Sequence, residues 1–250
     1  KDFPKGFVAA ITNPPYLAKN SAVRRKLKFP DTPHDDLYKV ALERMLTEVR
    51  YVAAIIPESF LTAGLFHDRL VAAVSLTSKM FEDTAHPVCL ALFVPASEKE
   101  GVDFEIWDND RFLGHHQTLS AMLPTAQNRH PWRFNDPQGT IGLLALDGTR
   151  GPDIRFVAGN AIPAWEIKHS SRARSRIGGS PAGMEDAIIA NANARLDRYR
   201  TQTHDTLMTA FKGLRKDGRY RRRLDFAQAR RILDLAWEEV LLVRSPPVAS

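Results

Sequence analysis

Residues 7–20 read "FVAAITNPPYLAKN", and the corner at Asn13-Pro14-Pro15-Tyr16 decides how the rest of the chain is read. The apolar run 7–12 has the length and composition of a buried strand. Two consecutive prolines forbid its continuation, because each lacks an N–H and fixes φ. In α/β sheets, ligands gather at the carboxyl ends of the strands, so a polar amide and an aromatic ring at such an end form a candidate ledge. The Asn13 side-chain oxygen and the Pro14 carbonyl are two acceptors close in sequence, suited to an –NH2 group with two hydrogens to give. Tyr16 adds a ring face on which a planar ring can stack. An amine conjugated to an aromatic ring is a poor nucleophile, because its lone pair is delocalised. Two acceptors on its hydrogens favour a pyramidal nitrogen and return the lone pair to it.

Outward from this corner, residues 17–34 are polar and basic and read as a loop or short helix. Asp35 or Asp36 is a candidate cap for "LYKVALERMLTEV" (37–49), whose apolar residues fall at helical spacing. "RYVAAIIP" (50–57) is a second short apolar strand closed by proline. "ESFLTAGLFHDRLVAAV" (58–74) reads as partly helical. "SLTSKMF" (75–81) and "VCLALFVPA" (88–96) read as strands, joined as an antiparallel hairpin at the sheet's edge. This alternation predicts an α/β sheet with parallel members. "VDFEIWD" (102–108) is a further strand, but Pro, Gly, His and Trp are scattered through 108–165 without a clean period. "SSRARSRIGGSPAG" (170–183) reads as a basic Gly/Ser-rich loop. Residues 184–243 are mostly helical in pattern, broken at Gly213 and Gly218, and 226–243 form the clearest amphipathic helix. A boundary near 97–102 divides the chain into 1–98 and 99–250.

The chain has 250 residues, 44% of them hydrophobic and 26% charged, an ordinary composition for a globular protein. No run approaches the roughly 18–20 apolar residues of a membrane span, and no signal-peptide pattern opens the sequence. Cys89 is the only cysteine, which excludes an internal disulfide; within "PVCLALFV" it reads as a buried core thiol in a reducing, cytoplasmic protein. His115 and His116 lack a carboxylate or cysteine at ligand spacing, so no metal site is expected. Glu58 reads as a turn-capping carboxylate rather than a base. The formal charge is +6, and its placement is uneven. Residues 195–231 hold twelve Lys and Arg against four Asp, so this segment alone exceeds the charge of the whole chain. Such a local basic stretch is compatible with a polyanionic partner.

"TNPPY" resembles the catalytic motif of the amino-methyltransferases, which methylate exocyclic or amide nitrogens using S-adenosylmethionine. The next stretch, "DDLYKVALERMLTEVRYVAAIIPESFL", is similar to the segment after the motif in bacterial DNA adenine-N6 methyltransferases of the gamma-ordered, TaqI-like type. "LTSKMFEDTAHPVCLALFV" resembles the hairpin in which that group places a second aromatic against the flipped base. The resemblance covers roughly residues 7–95. It implies the C-terminal half of a Rossmann-like methyltransferase sheet, followed by a mixed α+β target-recognition region with a basic helical C-terminus. It further implies that Asn13 and Pro14 accept from N6 of an adenine, that Pro15 stiffens the corner, and that Tyr16 and Phe81 stack on the base. Double-stranded DNA is the implied partner. Lys19, Arg24, Arg25 and Lys26 beside the motif, and Arg221, Arg222 and Arg223 in the basic tail, are candidate phosphate contacts. Tyr38 is a candidate for lining the cofactor pocket, although helix packing accounts for it better.

One departure bears on all of these roles. The family binds S-adenosylmethionine at a Gly-containing loop that precedes the motif, and twelve residues stand before Asn13. Gly-bearing loops at 145–151, 156–163 and 176–183 do not combine an apolar strand, G-x-G spacing and a following helix. The expectation is therefore a methyltransferase part whose cofactor-binding segment or subunit lies elsewhere, of bacterial or phage origin, in a restriction-modification or phage system. Two other readings stay open: a DNA-binding protein with an incomplete, inactive methyltransferase core, and an enzyme with this motif acting on RNA or on a release-factor glutamine.

Overall fold

The computed structural model describes residues 3–77, 86–126 and 129–244. The chain is mixed α/β and forms two compact units, Lys1–Thr118 and Leu119–Ser250.

The first unit is built on β1 (Ala9–Thr12), α1 (Lys19–Arg24), α2 (Leu37–Glu48), β2 (Tyr51–Pro57), β3 (Leu70–Leu76), β4 (Val88–Phe93), β5 (Glu105–Asp108) and β6 (Arg111–His115). The six strands make one sheet in the order β1-β2-β4-β3-β5-β6. β1 runs parallel to β2 and β3 parallel to β5, while β4 is antiparallel to both β2 and β3. The first strand of the predicted hairpin, 75–81, lies mostly outside the described residues; the antiparallel pair seen is β3 with β4, and β4 is inserted inside the sheet rather than lying at its edge. A central place suits "VCLALF", in which Val88, Cys89, Ala91 and Phe93 are all buried. β3 begins at Leu70, where the sequence pattern predicted helix; only a 3₁₀ turn over Glu58–Thr62 separates it from β2 in regular structure. β-Branched Val71 and Val74, with pairing on both sides, outweigh the local helical spacing. β5 and β6, which lie beyond residue 98, belong to this sheet.

β2 alternates strictly, with Val52, Ala54 and Ile56 buried. α2 packs on it through Tyr38, Leu42, Met45 and Leu46. The exposed carbonyls at the C-terminus of α2 need partners, and Arg69 supplies them. Its guanidinium donates to Leu46 O, to Val49 O at 3.2 Å, to Arg50 O and to Val94 O at 2.8 Å. One side chain thus ties the helix end to the strand that follows it and to the end of β4.

α3 (His116–Ala121) spans the division between the units. The second unit contains β7 (Arg133–Phe134), β8 (Ile141–Leu144), β9 (Arg155–Ala158), β10 (Arg174–Gly178), α4 (Glu185–Thr203), β11 (Thr209–Leu214), β12 (Tyr220–Arg223) and α5 (Phe226–Arg244). β7-β10-β8-β9 form an antiparallel sheet, and α4 packs on β9 and α5. Two sequence expectations change here. The predicted basic loop at 170–183 contains β10, a central strand, because Ser175 and Ile177 turn inward in alternation with the more exposed Arg174 and Arg176. The break in the helical pattern at Gly213 and Gly218 is a β-hairpin, β11–β12. Both glycines have left-handed φ, +87° and +80°, which residues with a Cβ adopt at a cost. α5 is amphipathic as predicted, with Ala229, Ile232, Leu233, Ala236 and Val240 buried.

Candidate functional site

β1 ends at Thr12, paired with Ala54 of β2. Beyond that point Pro14 and Pro15 have no N–H to continue the ladder. The Tyr16 hydroxyl reaches back instead and lies 2.7 Å from Ile55 O, the next carbonyl of β2. The same hydroxyl lies 2.5 Å from Asn13 Oδ1. The corner is thereby closed on itself, with Asn13 and Pro15 exposed, Pro14 buried and Tyr16 half-buried. The Tyr16 ring meets Tyr38 edge-on, with centroids 6.3 Å apart and planes at 88°. Burial, with a smaller push from Cys89, raises the Tyr16 hydroxyl to about 12, so it stays protonated across the physiological range.

The exit of the corner is equally fixed. Leu17 N–H donates to Asp36 Oδ1 at 3.0 Å, and the same oxygen caps α2 by accepting from Tyr38 N–H at 3.4 Å. Leu37 N–H donates to Leu17 O and Lys19 N–H to Asp35 O. Asp36, rather than Asp35, is thus the cap, and it joins the motif to the helix behind it. Burial raises Asp36 above the usual carboxylate range, although both amides oppose the shift.

Tyr38 is 2% exposed, and burial raises its hydroxyl above the ordinary tyrosine range. It therefore backs Tyr16 from inside the core. Lys19, Arg24, Arg25 and Lys26 all lie exposed on α1 and the turn that ends it, directly after the motif. Among the described residues none of the four forms an ion pair; Arg24 donates to Ser21 Oγ at 3.2 Å. Phe81 lies outside the described residues. Glu58 opens the 3₁₀ turn after β2 but is 2% exposed, and its carboxylate accepts from Ser75 Oγ at 2.7 Å. Cys89 is fully buried, and burial raises its thiol. His116 stacks on Phe104 at 4.5 Å with His67 against both rings, while His115 is exposed. Among the described residues no group of three or more His, Cys, Asp or Glu is placed to hold a metal. Nor is any helix among them long and apolar enough to cross a membrane.

No family model matches the chain, and no curated protein matches it. The function is therefore read from the site itself.

In the second unit, the three consecutive arginines of β12 have different surroundings. Arg222 is 7% exposed, and its backbone exchanges hydrogen bonds with Asp147. Arg221 is half-buried, donates from Nε to Asp147 O at 2.8 Å and lies over the Phe211 ring. Arg223 lines a cavity of about 270 Å³ with Arg172, Leu224, Asp225 and Phe226. Arg221 and Arg223 therefore share the outer side of the strand, while Arg222 faces in.

The residue that organises this region is Asp147, which the sequence did not single out. It is fully buried and accepts from Arg200 Nη1 and Nη2, both at 2.9 Å, and from Arg215 Nη1 at 3.1 Å. Backbone N–H groups of Arg222 and Asp153 complete its shell. Burial alone raises its pKa, but the Arg200 guanidinium, followed by these amides, holds the carboxyl below the usual range. A second buried carboxylate, Asp234 of α5, accepts from His130 N–H and Trp132 Nε1. Two of the twelve cations of the basic segment, Arg200 and Arg215, thus balance the buried Asp147.

Proposed function

We propose that this chain carries the target-amine site of an S-adenosylmethionine-dependent DNA adenine-N6 methyltransferase. The observation that carries the reading is the closed corner Asn13–Tyr16 at the carboxyl end of β1, an exposed carboxamide held beside a half-exposed ring. The corner is held at Ile55 and at Asp36, so its backbone and ring are fixed before a planar amine arrives, which is how positioning lowers a barrier. Asn13 Oδ1 and the Pro14 carbonyl accept from the two hydrogens of the amine, and the Tyr16 ring stacks on the base. An adenine within a duplex must leave the stack to arrive there, at a cost of a few kcal/mol. Stacking on an aromatic side chain offsets about 1–3 kcal/mol of this. The exposed cations of α1 lie in the chain directly after the motif, where phosphates of a bound strand would pass.

The described residues do not form a cradle for S-adenosylmethionine. Tyr38 is buried behind Tyr16, and none of the glycine loops at 145–151, 156–163 and 176–183 combines an apolar strand, G-x-G spacing and a following helix. The methyl donor is therefore assigned to another segment, of this chain or a separate subunit. One edge of the sheet fits such a partner. Among the described residues β1 pairs only with β2, and beside that edge Ile11 is 92%, Phe7 65% and Val8 59% exposed. An apolar edge strand is a template for further pairing.

The test is transfer of labelled methyl from S-adenosylmethionine to unmethylated DNA by the full-length protein, with Asn13→Ala alongside. Wild type should label adenine N6, and Asn13→Ala should lose transfer while DNA binding stays within about twofold. Transfer that survives Asn13→Ala would refute the site, and label on cytosine N4, on RNA or on a protein glutamine would refute the substrate.

A further inference from the structure

The Tyr16 hydroxyl has one hydrogen and two oxygen neighbours, Ile55 O at 2.7 Å and the Asn13 carboxamide at 2.5 Å. Ile55 O can only accept. If the hydroxyl donates to Asn13 Oδ1, Ile55 O faces a lone pair at hydrogen-bond distance, in a stretch where the prolines offer no replacement donor. If it donates to Ile55 O, its lone pairs face Asn13, and an oxygen there is repelled. The two ends of a carboxamide are alike in shape, and its partners decide which end faces where. Turning the Asn13 amide by a half-turn brings Nδ2 to the phenol oxygen; the 2.5 Å contact then lengthens by a few tenths of an ångström to an ordinary N–H···O distance, and every group is satisfied. Nδ2 donates to Tyr16 Oη, Tyr16 donates to Ile55 O, and Asn13 Oδ1 is turned to the open side. An unmade hydrogen bond at a part-buried carbonyl costs more than a made one gains, which favours this arrangement.

We propose that Tyr16 is a positioning residue as well as a stacking surface: its hydroxyl, anchored on Ile55 O, accepts from Asn13 Nδ2 and fixes Asn13 Oδ1 toward the target amine. This rests on the reading of Asn13 as the amine's acceptor. Without the anchor, the carboxamide samples both orientations, and one of them presents an NH2 to an NH2. The high hydroxyl pKa is consistent with this role, because a phenol neutral up to about 12 keeps its hydrogen on Ile55 O at every working pH. Chemistry also accounts for the order of residues in the motif. Two prolines remove the N–H groups that a strand would have given to β2, and the residue after them supplies a side-chain donor in their place.

Tyr16→Phe tests this, because it keeps the ring and removes only the hydroxyl. The first measurement is hydrogen exchange of the Asn13 side-chain NH2 by nitrogen-15 NMR, with the resonance assigned by its absence in Asn13→Ala. Exchange should be at least about fivefold faster in Tyr16→Phe than in wild type, and equal rates would overturn the proposal. The second is methyl transfer to unmethylated DNA by the full-length protein. Loss of one orienting hydrogen bond should lower kcat by about tenfold, with KM for DNA within twofold and no further loss when Tyr16→Phe is added to Asn13→Ala. A rise in KM with kcat retained would overturn it, since the hydroxyl would then be serving DNA binding. Absence of transfer by wild type would instead refute the methyltransferase reading, and the exchange measurement would still decide whether Tyr16 orients Asn13.

Discussion

Asp147→Asn removes one charge from a fully buried cluster while keeping the shape of the side chain. In the folded protein Asp147 accepts three hydrogen bonds from Arg200 and Arg215 and two from backbone amides. Taken singly, bonds to charged groups are worth about 1.5–3 kcal/mol each, but members of one network do not add. Neither guanidinium is stripped, since Arg200 keeps Asp205 at 2.7 Å and Arg215 keeps Asp217 at 2.7 Å. The substitution therefore falls at the lower end of the 3–5 kcal/mol typical of a broken buried pair, about 3 kcal/mol. For a unit of about 130 residues this lowers Tm by roughly 10 °C. Urea unfolding followed by tryptophan fluorescence measures it directly, because Trp132, Trp165 and Trp237 all lie in this unit. Asp217→Asn is the control: that side chain is 46% exposed, so its loss should cost no more than about 1 kcal/mol. The pH dependence has a definite sign. A carboxyl held below its unfolded pKa of about 3.9 stabilises fully above that value and loses the contribution as pH falls through the folded one. The gap between wild type and Asp147→Asn should thus be flat from pH 5 to 8 and narrow below about pH 4. A gap under about 1 kcal/mol at neutral pH, or one that widens in acid, would refute the assignment of Asp147 as the organising charge.

Arg69→Ala should destabilise the first unit by about 2–3 kcal/mol, because four backbone carbonyls lose a charged donor. Amides in the last turn of α2 should exchange faster, which hydrogen-exchange mass spectrometry would detect. Reversing two exposed cations beside the motif, Arg24→Glu with Arg25→Glu, should weaken DNA binding and lower the slope of log K against log salt by about 2 if both touch phosphate. Arg222→Ala should do the opposite, costing stability while leaving that slope nearly unchanged, since this arginine is buried.

The first unit was largely legible because its signals are local. Short apolar runs stopped by proline gave β1 and β2, although β1 is not the buried strand expected, since Ala9 and Ile11 are exposed; Asp35 or Asp36 before a helical period gave the start of α2. The insertion of β4 between β2 and β3 was not legible, since strand order is a property of pairing and both edge and centre accept "VCLALF". β3 was misread because "FHDRLVAAV" carries apolar residues at both helical and strand spacing, and only its two neighbours in the sheet decide between them. In the second unit the charge count does not separate surface cations from buried ones. Twelve cations between 195 and 231 read as a polyanion surface, yet Arg200, Arg215 and Arg222 are drawn inward around Asp147. A lone Asp in "LALDGT" gives no sign that it is fully buried, because its arginine partners are 53 to 75 residues away.

The same distinction between local and distant signals applies to the Asn13–Tyr16 corner. Asn13, the prolines and Tyr16 identify themselves, because residue types and order are enough to specify a rigid ledge with an amide and a ring. The sequence does not say which way the amide faces, and an acceptor for an amine turned the wrong way is a donor and repels it. That choice is made by Ile55, 39 residues beyond Tyr16, whose carbonyl takes the one hydrogen that Tyr16 has to give. If the hydroxyl orients Asn13, a ring alone at position 16 is insufficient, and Tyr16→Phe should impair the chemical step while base stacking is retained. Where stacking and orientation come from the same side chain, the two roles separate only by removing the oxygen and keeping the ring.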